Sequence, residues 1–303
     1  MDTGAMKKEI KNLLQRRRGV LLAHYYQRPE VQEIADFVGD SLALSIEAAR
    51  TDARVIVFAG VHFMAESAAV LSPDKTVLLP RAEAGCPLAD MVTVEDLARA
   101  REEYPDAAVV TYVNSSAAVK AASDVCCTSA NALKVVESLA DARRVIMVPD
   151  GNLARYCARF SSKEIIPWRG YCPVHQALTA EEAAAARQAH PRALFAAHPE
   201  CRPEVLDLAD FVGSTAGILR FAGEERVEEL IVGTEEGIFT ELKRRCPAKA
   251  FVSPRADFVC PDMKYTTLAD ILLALKENRT VVRVPEEIVA GARRALDRML
   301  AAT

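Results

Sequence analysis

The sequence predicts an α/β protein in which three homologous α/β/α units with short parallel sheets are arranged with pseudo-threefold symmetry around a central active site. Short continuous apolar runs alternate with stretches of helical periodicity, which is typical of parallel strands covered on both faces. A set of landmarks also recurs at intervals of 86 to 88 residues, which indicates an internal triplication. The chain has 303 residues, half of them apolar, so it can bury a substantial core.

The apolar runs mark the expected strands, at residues 19–23, 55–58, 109–113, 145–148, 193–197 and 230–232. Helical stretches lie between them, among them residues 41–50, 94–103 and 180–190. The polar N-terminus, residues 1–18, has the pattern of an amphipathic helix, and a closing helix is expected within residues 281–300. We expect units at residues 1–90, 91–177 and 178–264, with the N-terminal helix and the segment 265–303 packing on the first unit.

A Cys-Pro pair marks the same place in each repeat, at Cys86, Cys172 and Cys260. Each pair follows a short apolar run that ends in proline. Seven residues after each cysteine stands a threonine with an acidic residue three positions further on, which is the spacing of a helix N-terminal cap. The predicted caps are Thr93 with Asp96, Thr179 with Glu182, and Thr267 with Asp270.

Polar residues also end the strands of each repeat. The first strand closes at His24, Tyr112 and His198 in the three copies. The segment ADFVGDS at residues 35–41 is echoed by ADFVGST at residues 209–215, and more loosely by residues 123–129. Ligands of parallel sheets bind beyond the carboxyl ends of the strands. We therefore expect these residues and the three cysteines to converge on one site.

Composition and charge exclude several classes of partner. The net charge is −4 and there is no long block of lysine and arginine, which argues against nucleic acid and against an anionic membrane. No run approaches the roughly 18 apolar residues of a membrane span, and the N-terminus lacks the apolar core of an export signal. We therefore expect a cytoplasmic protein, whose eight cysteines are metal ligands, reactive groups or buried thiols rather than disulfides.

Three converging cysteine thiols could serve in three ways. A structural zinc ion would need a fourth ligand, such as His175. An iron–sulfur cluster with three cysteine ligands would leave one iron open, and that iron could act as a Lewis acid in dehydration or condensation. Alternatively, the three residues are buried thiols at equivalent places in the repeat, since free cysteine is commonly buried.

The motifs of the chain resemble those of quinolinate synthase over almost the whole length. The matching segments are AHYYQ at residues 23–27, ADFVGDS at 35–41, FMAE at 63–66, YVNS at 112–115, CTSAN at 127–131, CPVH at 172–175, HPEC at 198–201 and VGST at 212–215. The resemblance implies three α/β/α domains about a pseudo-threefold axis and a metal-binding site that holds a 4Fe-4S cluster through one cysteine per domain. Carried onto this sequence, the ligands are Cys86, Cys172 and Cys260, with one iron left open.

The resemblance also implies an enzyme of NAD and pyridine nucleotide biosynthesis. Its reaction is a transferase-type condensation of iminoaspartate (iminosuccinate) with dihydroxyacetone phosphate, which gives quinolinate, phosphate and water. The open iron would act as a Lewis acid. A functional link to the enzyme that supplies iminoaspartate follows from this reaction.

Both implied substrates are small anions, so local donors must capture them. Four hydroxyl side chains stand at three expected helix starts, where free N–H groups and the helix dipole favour phosphate or carboxylate: Ser41, Ser129, Ser214 and Thr215. Several protons must also move. The candidates for acid–base catalysis and substrate orientation are His24, Tyr26, Tyr112, His198 and Glu200. Further substrate contacts are expected from Asn114 and His175.

Two other classes of protein stay open. A cluster-dependent hydro-lyase acting on a hydroxy acid would keep the three cysteines and the anion-binding helix ends. A non-catalytic iron–sulfur or zinc protein would need a fully ligated metal, and a fourth repeat cysteine is missing. A radical mechanism with S-adenosylmethionine is disfavoured because the close-spaced cysteine triplet is absent. The remaining cysteines are expected to be free thiols, with the role of Cys201 open: Cys126, Cys127, Cys157, Cys201 and Cys246.

Overall fold

The computed structural model of the chain describes residues 2–302. Within that range the strands form three four-stranded sheets, and all pairings between the strands of a sheet are parallel. Each sheet takes its strands from one expected unit, and the order is always second, first, third, fourth. The prediction of an α/β fold made of three similar units is therefore confirmed.

The helices and strands follow one another in the same pattern in each unit. The first unit contains α1 (Thr3–Arg17), β1 (Gly19–His24), α2 (Pro29–Ile34), β2 (Phe37–Gly39), α3 (Ser41–Arg50), β3 (Val55–Ala59), α4 (His62–Leu71), β4 (Thr76–Leu78) and a 3-10 helix (Ala89–Met91). The second contains α5 (Val94–Glu103), β5 (Ala107–Tyr112), α6 (Ala117–Ala121), β6 (Val125–Cys127), α7 (Ala132–Ser138), β7 (Arg144–Val148), α8 (Gly151–Ala158), β8 (Glu164–Pro167) and α9 (Pro173–Gln176). The third contains α10 (Ala180–Ala189), β9 (Leu194–Ala197), α11 (Pro203–Leu206), β10 (Phe211–Val212), α12 (Thr215–Ala222), β11 (Glu229–Gly233), α13 (Ile238–Arg245), β12 (Ala250–Val252) and α14 (Pro261–Lys264). Two helices close the chain, α15 (Leu268–Glu277) and α16 (Glu286–Ala301).

Two polar contacts recur in all three units. In each, an aspartate just before the second strand accepts a hydrogen bond from an N–H group of the first strand. These pairs are Asp36 with Leu21 at 2.8 Å, Asp124 with Val109 at 2.7 Å, and Asp210 with Phe195 at 2.8 Å. Each unit also has one lysine that donates to two of its own backbone carbonyl groups: Lys75, Lys163 and Lys249. Contacts repeated to this degree indicate three copies of one unit.

Most of the predicted elements agree with the structure. The predicted helices at residues 41–50 and 94–103 coincide with α3 and α5, and the six predicted strands are present with ends within two residues of those expected. All three predicted threonine–acid pairs form reciprocal capping boxes at the starts of α5, α10 and α15. The short second strands β2, β6 and β10 were not predicted, because two or three residues show no periodicity.

Each sheet buries its two faces in different cores. Along β1 and β3, Leu21 and Val57 face a core of the first unit, whereas Leu22 and Ile56 face a core that all three units share. The same alternation occurs in the other two sheets. The shared core holds the three units together and so positions the strand ends relative to one another. None of the helices within residues 2–302 is long and apolar enough to cross a membrane.

The C-terminal segment divides between two units, whereas we expected it to pack on the first. Helix α15 does pack against α1, and Val281 pairs with Leu78 of β4. Helix α16, however, lies mainly against α6 and β6 of the second unit and also touches α4. A Cβ atom on Gly291 would stand 2.9 Å from the Ala121 carbonyl oxygen, so the two helices approach closely. An amphipathic pattern shows that a helix packs on something, but it does not identify the partner.

Candidate active site

A cavity of about 260 Å³ lies where the carboxyl ends of the three sheets meet. All three units contribute to its wall. Of the fourteen site residues predicted from the sequence, thirteen line it: His24, Tyr26, Ser41, Cys86, Tyr112, Asn114, Ser129, Cys172, His175, His198, Glu200, Thr215 and Cys260. Ser214 is the exception. Its hydroxyl group accepts a hydrogen bond from Gly217 N at 3.2 Å and lies 3.4 Å from the Asp40 carboxylate.

Each of the three repeat cysteines reaches the cavity from the start of a helical turn. Cys172 and Cys260 are the N-cap residues of α9 and α14, and a proline at the first helical position follows each. Cys86 precedes a similar turn, in which Ala89 N donates to the Cys86 carbonyl oxygen at 2.9 Å. The cysteine side chains therefore project from the starts of helical turns, where backbone N–H groups are free to face them.

Burial and backbone donors act in opposite directions on these thiols. Burial raises the pKa of Cys86 and of Cys172, and it raises the pKa of Cys260 to about 11. A backbone N–H group opposes this effect on the pKa at each sulfur: that of Ala89, His175 and Met263, respectively. The Cys172 pKa is raised further by the charges of Cys86 and Cys260. Three thiolates in the wall of one cavity would repel one another unless a cation compensates their charge.

Two carboxylates hold the backbone of the cysteine turns. The Cys172 N–H group donates to Asp150 Oδ2 at 3.2 Å, and the Cys260 N–H group donates to Glu235 Oε1 at 3.1 Å. Burial, followed by the Glu200 charge, raises the pKa of Asp150 well above its usual range. Burial also raises the pKa of Glu235. These buried acceptors fix the direction in which each cysteine turn enters the cavity.

Two sets of side chains could hold a metal. The first is the set of three repeat cysteines, which suits an iron–sulfur cluster because each sulfur comes from a different unit and none of the three is in a disulfide within residues 2–302, although Cys172 Sγ lies 3.2 Å from His175 Nδ1. The second is Cys172, His175 and Glu200, whose ligand atoms all lie within 4.8 Å of one another. That second set has the donor types that zinc prefers.

Glu200 is the centre of a buried polar network. Its Oε2 atom lies 2.6 Å from His175 Nδ1 and 3.5 Å from His198 Nδ1, and it also interacts with the Tyr112 hydroxyl group. Burial alone would raise the Glu200 pKa, but the two histidines and the hydrogen bonds from His175 and Tyr112 together lower it to about 2. Glu200 is therefore a carboxylate at neutral pH.

The Tyr26 hydroxyl group joins this network from the first unit. It lies 2.9 Å from Thr215 Oγ1 and 2.6 Å from Thr234 Oγ1. Thr234 Oγ1 in turn lies 2.8 Å from His175 Nε2. Burial, with the Glu200 charge, raises the Tyr26 pKa well above its usual range. A continuous chain of hydrogen bonds thus runs from Glu200 through His175 and Thr234 to a protonated Tyr26.

Two buried histidines are neutral. Burial is the main cause that lowers the pKa of His24 and of His198 to about 3. His24 Nδ1 accepts a hydrogen bond from Tyr26 N at 3.1 Å, so the neutral ring carries its proton on Nε2. His24 can therefore donate a hydrogen bond within the cavity that it lines. His198 Nε2 lies 3.1 Å from the Ser129 hydroxyl group.

The remaining predicted residues provide donors and acceptors for a polar ligand. Asn114 Oδ1 is buried and has no hydrogen-bond partner within residues 2–302, which points to a ligand that donates to it. Ser41 and Thr215 are the first residues of α3 and α12, so the N–H groups of two helices begin at the cavity wall. Ser129 lies instead in a turn, two residues before the N-cap residue Asn131.

Sequence reasoning missed several polar residues at the site, including Asp40, Thr234 and Glu235. Asp40 lines the cavity and caps α3 through a hydrogen bond from Ala43 N at 3.0 Å. Thr234 and Glu235 follow β11 directly, in the polar turn that ends the second long strand of the third repeat. That position was the available signal, because the turn corresponds to one containing Asp150 in the second unit.

Five cysteines have no place in the cavity wall. Cys126, Cys127 and Cys157 are buried in the core shared by the units. The Cys201 thiol is also buried and donates to the Gly233 carbonyl oxygen at 3.5 Å, which assigns it to the packing behind the strand end. The Cys246 thiol donates to the Ala222 carbonyl oxygen at 3.7 Å. All eight cysteines are free, which agrees with the prediction against disulfides.

Comparison with known proteins gives a consistent result over the whole chain. The family described as Quinolinate synthetase A protein matches residues 8–301. A quinolinate synthase of Geotalea uraniireducens (strain Rf4) is 57% identical over 296 residues, which cover 98% of this chain and 97% of that protein. A quinolinate synthase of Geobacter sp. (strain M21) is 56% identical over 301 residues, and Quinolinate synthase 1 of Methanosarcina acetivorans is 54% identical over 301 residues, each covering 99% of both chains. The chain therefore belongs to the quinolinate synthetase A family of enzymes.

Proposed function

We propose that this chain is a quinolinate synthase of NAD biosynthesis, which condenses iminoaspartate with dihydroxyacetone phosphate to give quinolinate, phosphate and water. One observation carries the proposal: the thiols of Cys86, Cys172 and Cys260 share a cavity with two helix N-termini and a network of buried proton donors. The names of the similar proteins support the same activity. The reaction would take place in the cytoplasm and would depend on an enzyme that supplies iminoaspartate.

Cys86, Cys172 and Cys260 would hold a 4Fe-4S cluster with one open iron. Support comes from the donor set, since three partly buried thiols with raised pKa values stay protonated unless a cation compensates their charge. The backbone N–H group beside each sulfur would stabilise the bound thiolate. When bound, the cluster would supply a Lewis-acidic iron that polarises a carboxylate or hydroxyl oxygen of the substrate.

The helix starts would bind the anionic groups of both substrates. Asp40 and Ser214 each satisfy one N–H group at the start of α3 and α12, which leaves other N–H groups for phosphate or carboxylate oxygens. The hydroxyl groups of Ser41 and Thr215 would add donors at these ends. Asn114 and Ser129, from the second unit, would orient the carbon chain between them.

Proton transfer would use the buried network. Tyr26 Oη is kept protonated by burial and would donate to a departing hydroxyl group. Thr234 and His175 connect Tyr26 to the Glu200 carboxylate, which would fix the orientation of the His175 ring and, through Thr234, of the Tyr26 hydroxyl group. His24 and His198 are neutral and would serve as hydrogen-bond donors that orient carbonyl or carboxylate oxygens. Tyr112, whose hydroxyl group interacts with Glu200, would help to orient that carboxylate in the cavity.

The second metal set supports a rival function. Cys172, His175 and Glu200 have the spacing and donor types to bind one zinc ion, which would make the protein a zinc enzyme. This alternative would leave Cys86 and Cys260 without a role. The two candidates therefore predict different metals and a different dependence on the cysteines.

The test is metal content and activity on one anaerobic preparation. We expect about four iron and four sulfide per chain, a visible spectrum that changes when quinolinate is added, and formation of quinolinate from the two substrates. Zinc at one per chain, with no iron after anaerobic reconstitution, would support the rival. A full cluster without quinolinate formation, but with dehydration of a hydroxy acid, would indicate a hydro-lyase instead.

A further inference from the structure

Glu235 links Cys260 to Lys264, at the other end of the same helical turn. The side chain is completely buried. Its Oε1 atom accepts from the Cys260 N–H group at 3.1 Å and from Lys264 Nζ at 2.8 Å, and its Oε2 atom accepts from the Gly237 N–H group at 2.7 Å. A buried carboxylate with three donors defines the conformation of both backbone segments that it contacts.

Lys264 carries the same connection into the first unit. Its ammonium group donates to the Tyr26 carbonyl oxygen at 2.6 Å as well as to Glu235. The Lys264 carbonyl oxygen accepts from Arg28 Nε at 2.8 Å, so contacts run in both directions between the two units. Lys264 is also the last residue of α14, the short helix that Cys260 begins. One turn of helix therefore separates Cys260 from Lys264, the residue that contacts the first unit.

The backbones of the two units also touch at this place. A Cβ atom on Gly237 would stand 2.6 Å from Tyr26 Cα, so any side chain at Gly237 would push the segments apart. The amide group of Gln32 donates to the Gly237 carbonyl oxygen at 3.0 Å and also to the carbonyl oxygens of Tyr25 and Gln27. The Tyr26 backbone is thus enclosed by Glu235, Lys264 and Gly237 together.

The corresponding places in the other units lack this connection. In the second unit, Asp150 holds the Cys172 N–H group and the Leu153 N–H group, but no ion pair to Asp150 occurs within residues 2–302. In the first unit the corresponding residue is Val61, which has no acceptor in its side chain. The lysine bridge is therefore a special feature of the Cys260 turn rather than a part of the repeated framework.

We infer that Glu235 and Lys264 are positioning residues that couple the turn at Cys260 to Tyr26. A change that loosens the turn at Cys260 therefore also loosens the backbone at Tyr26, and the reverse. The coupling concerns the folded chain itself. Its consequence for the cluster rests on the function proposed above. With this coupling, Tyr26 would keep its position relative to Cys260 and so to a cluster that Cys260 would help to hold.

Amide hydrogen exchange on the protein without metal tests the coupling directly, since the Cys260 and Gly237 N–H groups both donate to Glu235. We expect Lys264→Met to raise exchange by about tenfold in two peptides, one covering residues 24–28 and the other residues 258–264, while a peptide covering α8 is unchanged. Lys264→Arg, which keeps the charge, should restore most of the protection. The matched control is Lys249→Met, because Lys249 donates to Ala222 and Glu224 of its own unit and, among residues 2–302, to no residue of another unit.

Faster exchange at residues 258–264 alone would overturn the coupling and leave Lys264 with a local role. The second measurement is loss of visible absorbance after a chelator is added to the reconstituted protein. Lys264→Met and Glu235→Gln should each lose the chromophore about tenfold faster, and the double variant no faster than the faster single variant. If the rate increase in the double variant equals the product of the two single increases, the two residues act independently. If the unchanged protein takes up no cluster, the proposed function fails, whereas the exchange result still decides the coupling.

Discussion

Replacing His24 by asparagine should change how the stability of the metal-free protein depends on pH. Burial, followed by the charge of His198, lowers the His24 pKa from 6.5 to about 3, although Glu200 opposes this and Lys264 adds to it. The unfolded chain therefore binds a proton at this imidazole below about pH 6.5, whereas the folded chain does not. The contribution of His24 to the free energy of unfolding is fully present above about pH 6.5 and is lost as the pH falls towards about 3. Asparagine removes the titrating group, but its oxygen can still accept from Tyr26 N.

The magnitude follows from the two pKa values. Between about pH 7.5 and about pH 5.5, proton binding to an ordinary imidazole stabilises the unfolded state by about 1.4 kcal/mol, and a folded-state pKa near 3 contributes almost nothing in return. Buried carboxyl groups with raised pKa values, such as Asp150, act with the opposite sign in the same range. The useful quantity is therefore the difference between the variant and the unchanged protein, in which those other groups cancel.

The assay is urea unfolding of the metal-free protein at both pH values. The loss of unfolding free energy from the higher to the lower pH should be smaller by about 1.4 kcal/mol in His24→Asn than in the unchanged protein. Asn114→Ala serves as the control, because it alters the same cavity without removing a titrating group. Identical pH dependence in all three proteins would refute the reasoning, since it would mean that His24 takes up a proton as readily in the folded chain as in the unfolded one.

Three further predictions concern the cysteines, the helix starts and the closing helix. Alanine at Cys86, Cys172 or Cys260 should abolish iron binding and activity, whereas Cys157→Ala and Cys246→Ala should retain iron; an active, iron-free Cys172→Ala protein would contradict the proposed ligand set. Ser214→Ala combined with Thr215→Ala should raise KM with iron content intact, and loss of the α12 cap should cost about 1 kcal/mol in urea unfolding; unchanged KM and kcat would mean that neither Thr215 nor the start of α12 contributes to substrate binding. Gly291→Val should destabilise the protein by about 1–3 kcal/mol, because its side chain would meet Ala121; the exposed Ala290→Val on the same helix is the control, and equal unfolding midpoints would contradict the close packing.

Local rules were enough to predict the framework. A threonine with an acid three residues later forms a cap wherever a helix follows, so Thr93 could be assigned from spacing alone. The convergence of the three cysteines was also predictable, because repeats of one unit bring equivalent strand ends together. Such arguments use only neighbouring residues and the repeat length. They therefore apply before any contact between units is known.

The contacts between units could not be predicted in this way. Lys264 resembles any lysine at the end of a short helix, and its approach to Tyr26 depends on how two units dock. Thr234 lies between Tyr26 and His175 because of the same docking of units. The hydroxyl group of Ser214 was expected to face the ligand, but it caps its own helix, because the nearest unsatisfied N–H group is local. Sequence spacing does not specify these choices.

The repeated framework has a consequence for how a substrate is oriented. The aspartate and lysine contacts are the same in the three units, yet at the end of the first strand the second unit has Tyr112 where the other two have histidines, His24 and His198. A scaffold with three equivalent positions would by itself accept a ligand in three equivalent ways. Different side chains at equivalent positions remove that degeneracy, so an asymmetric molecule has a single favoured direction in the cavity. The protein obtains handed selectivity for its ligand from a nearly symmetric frame.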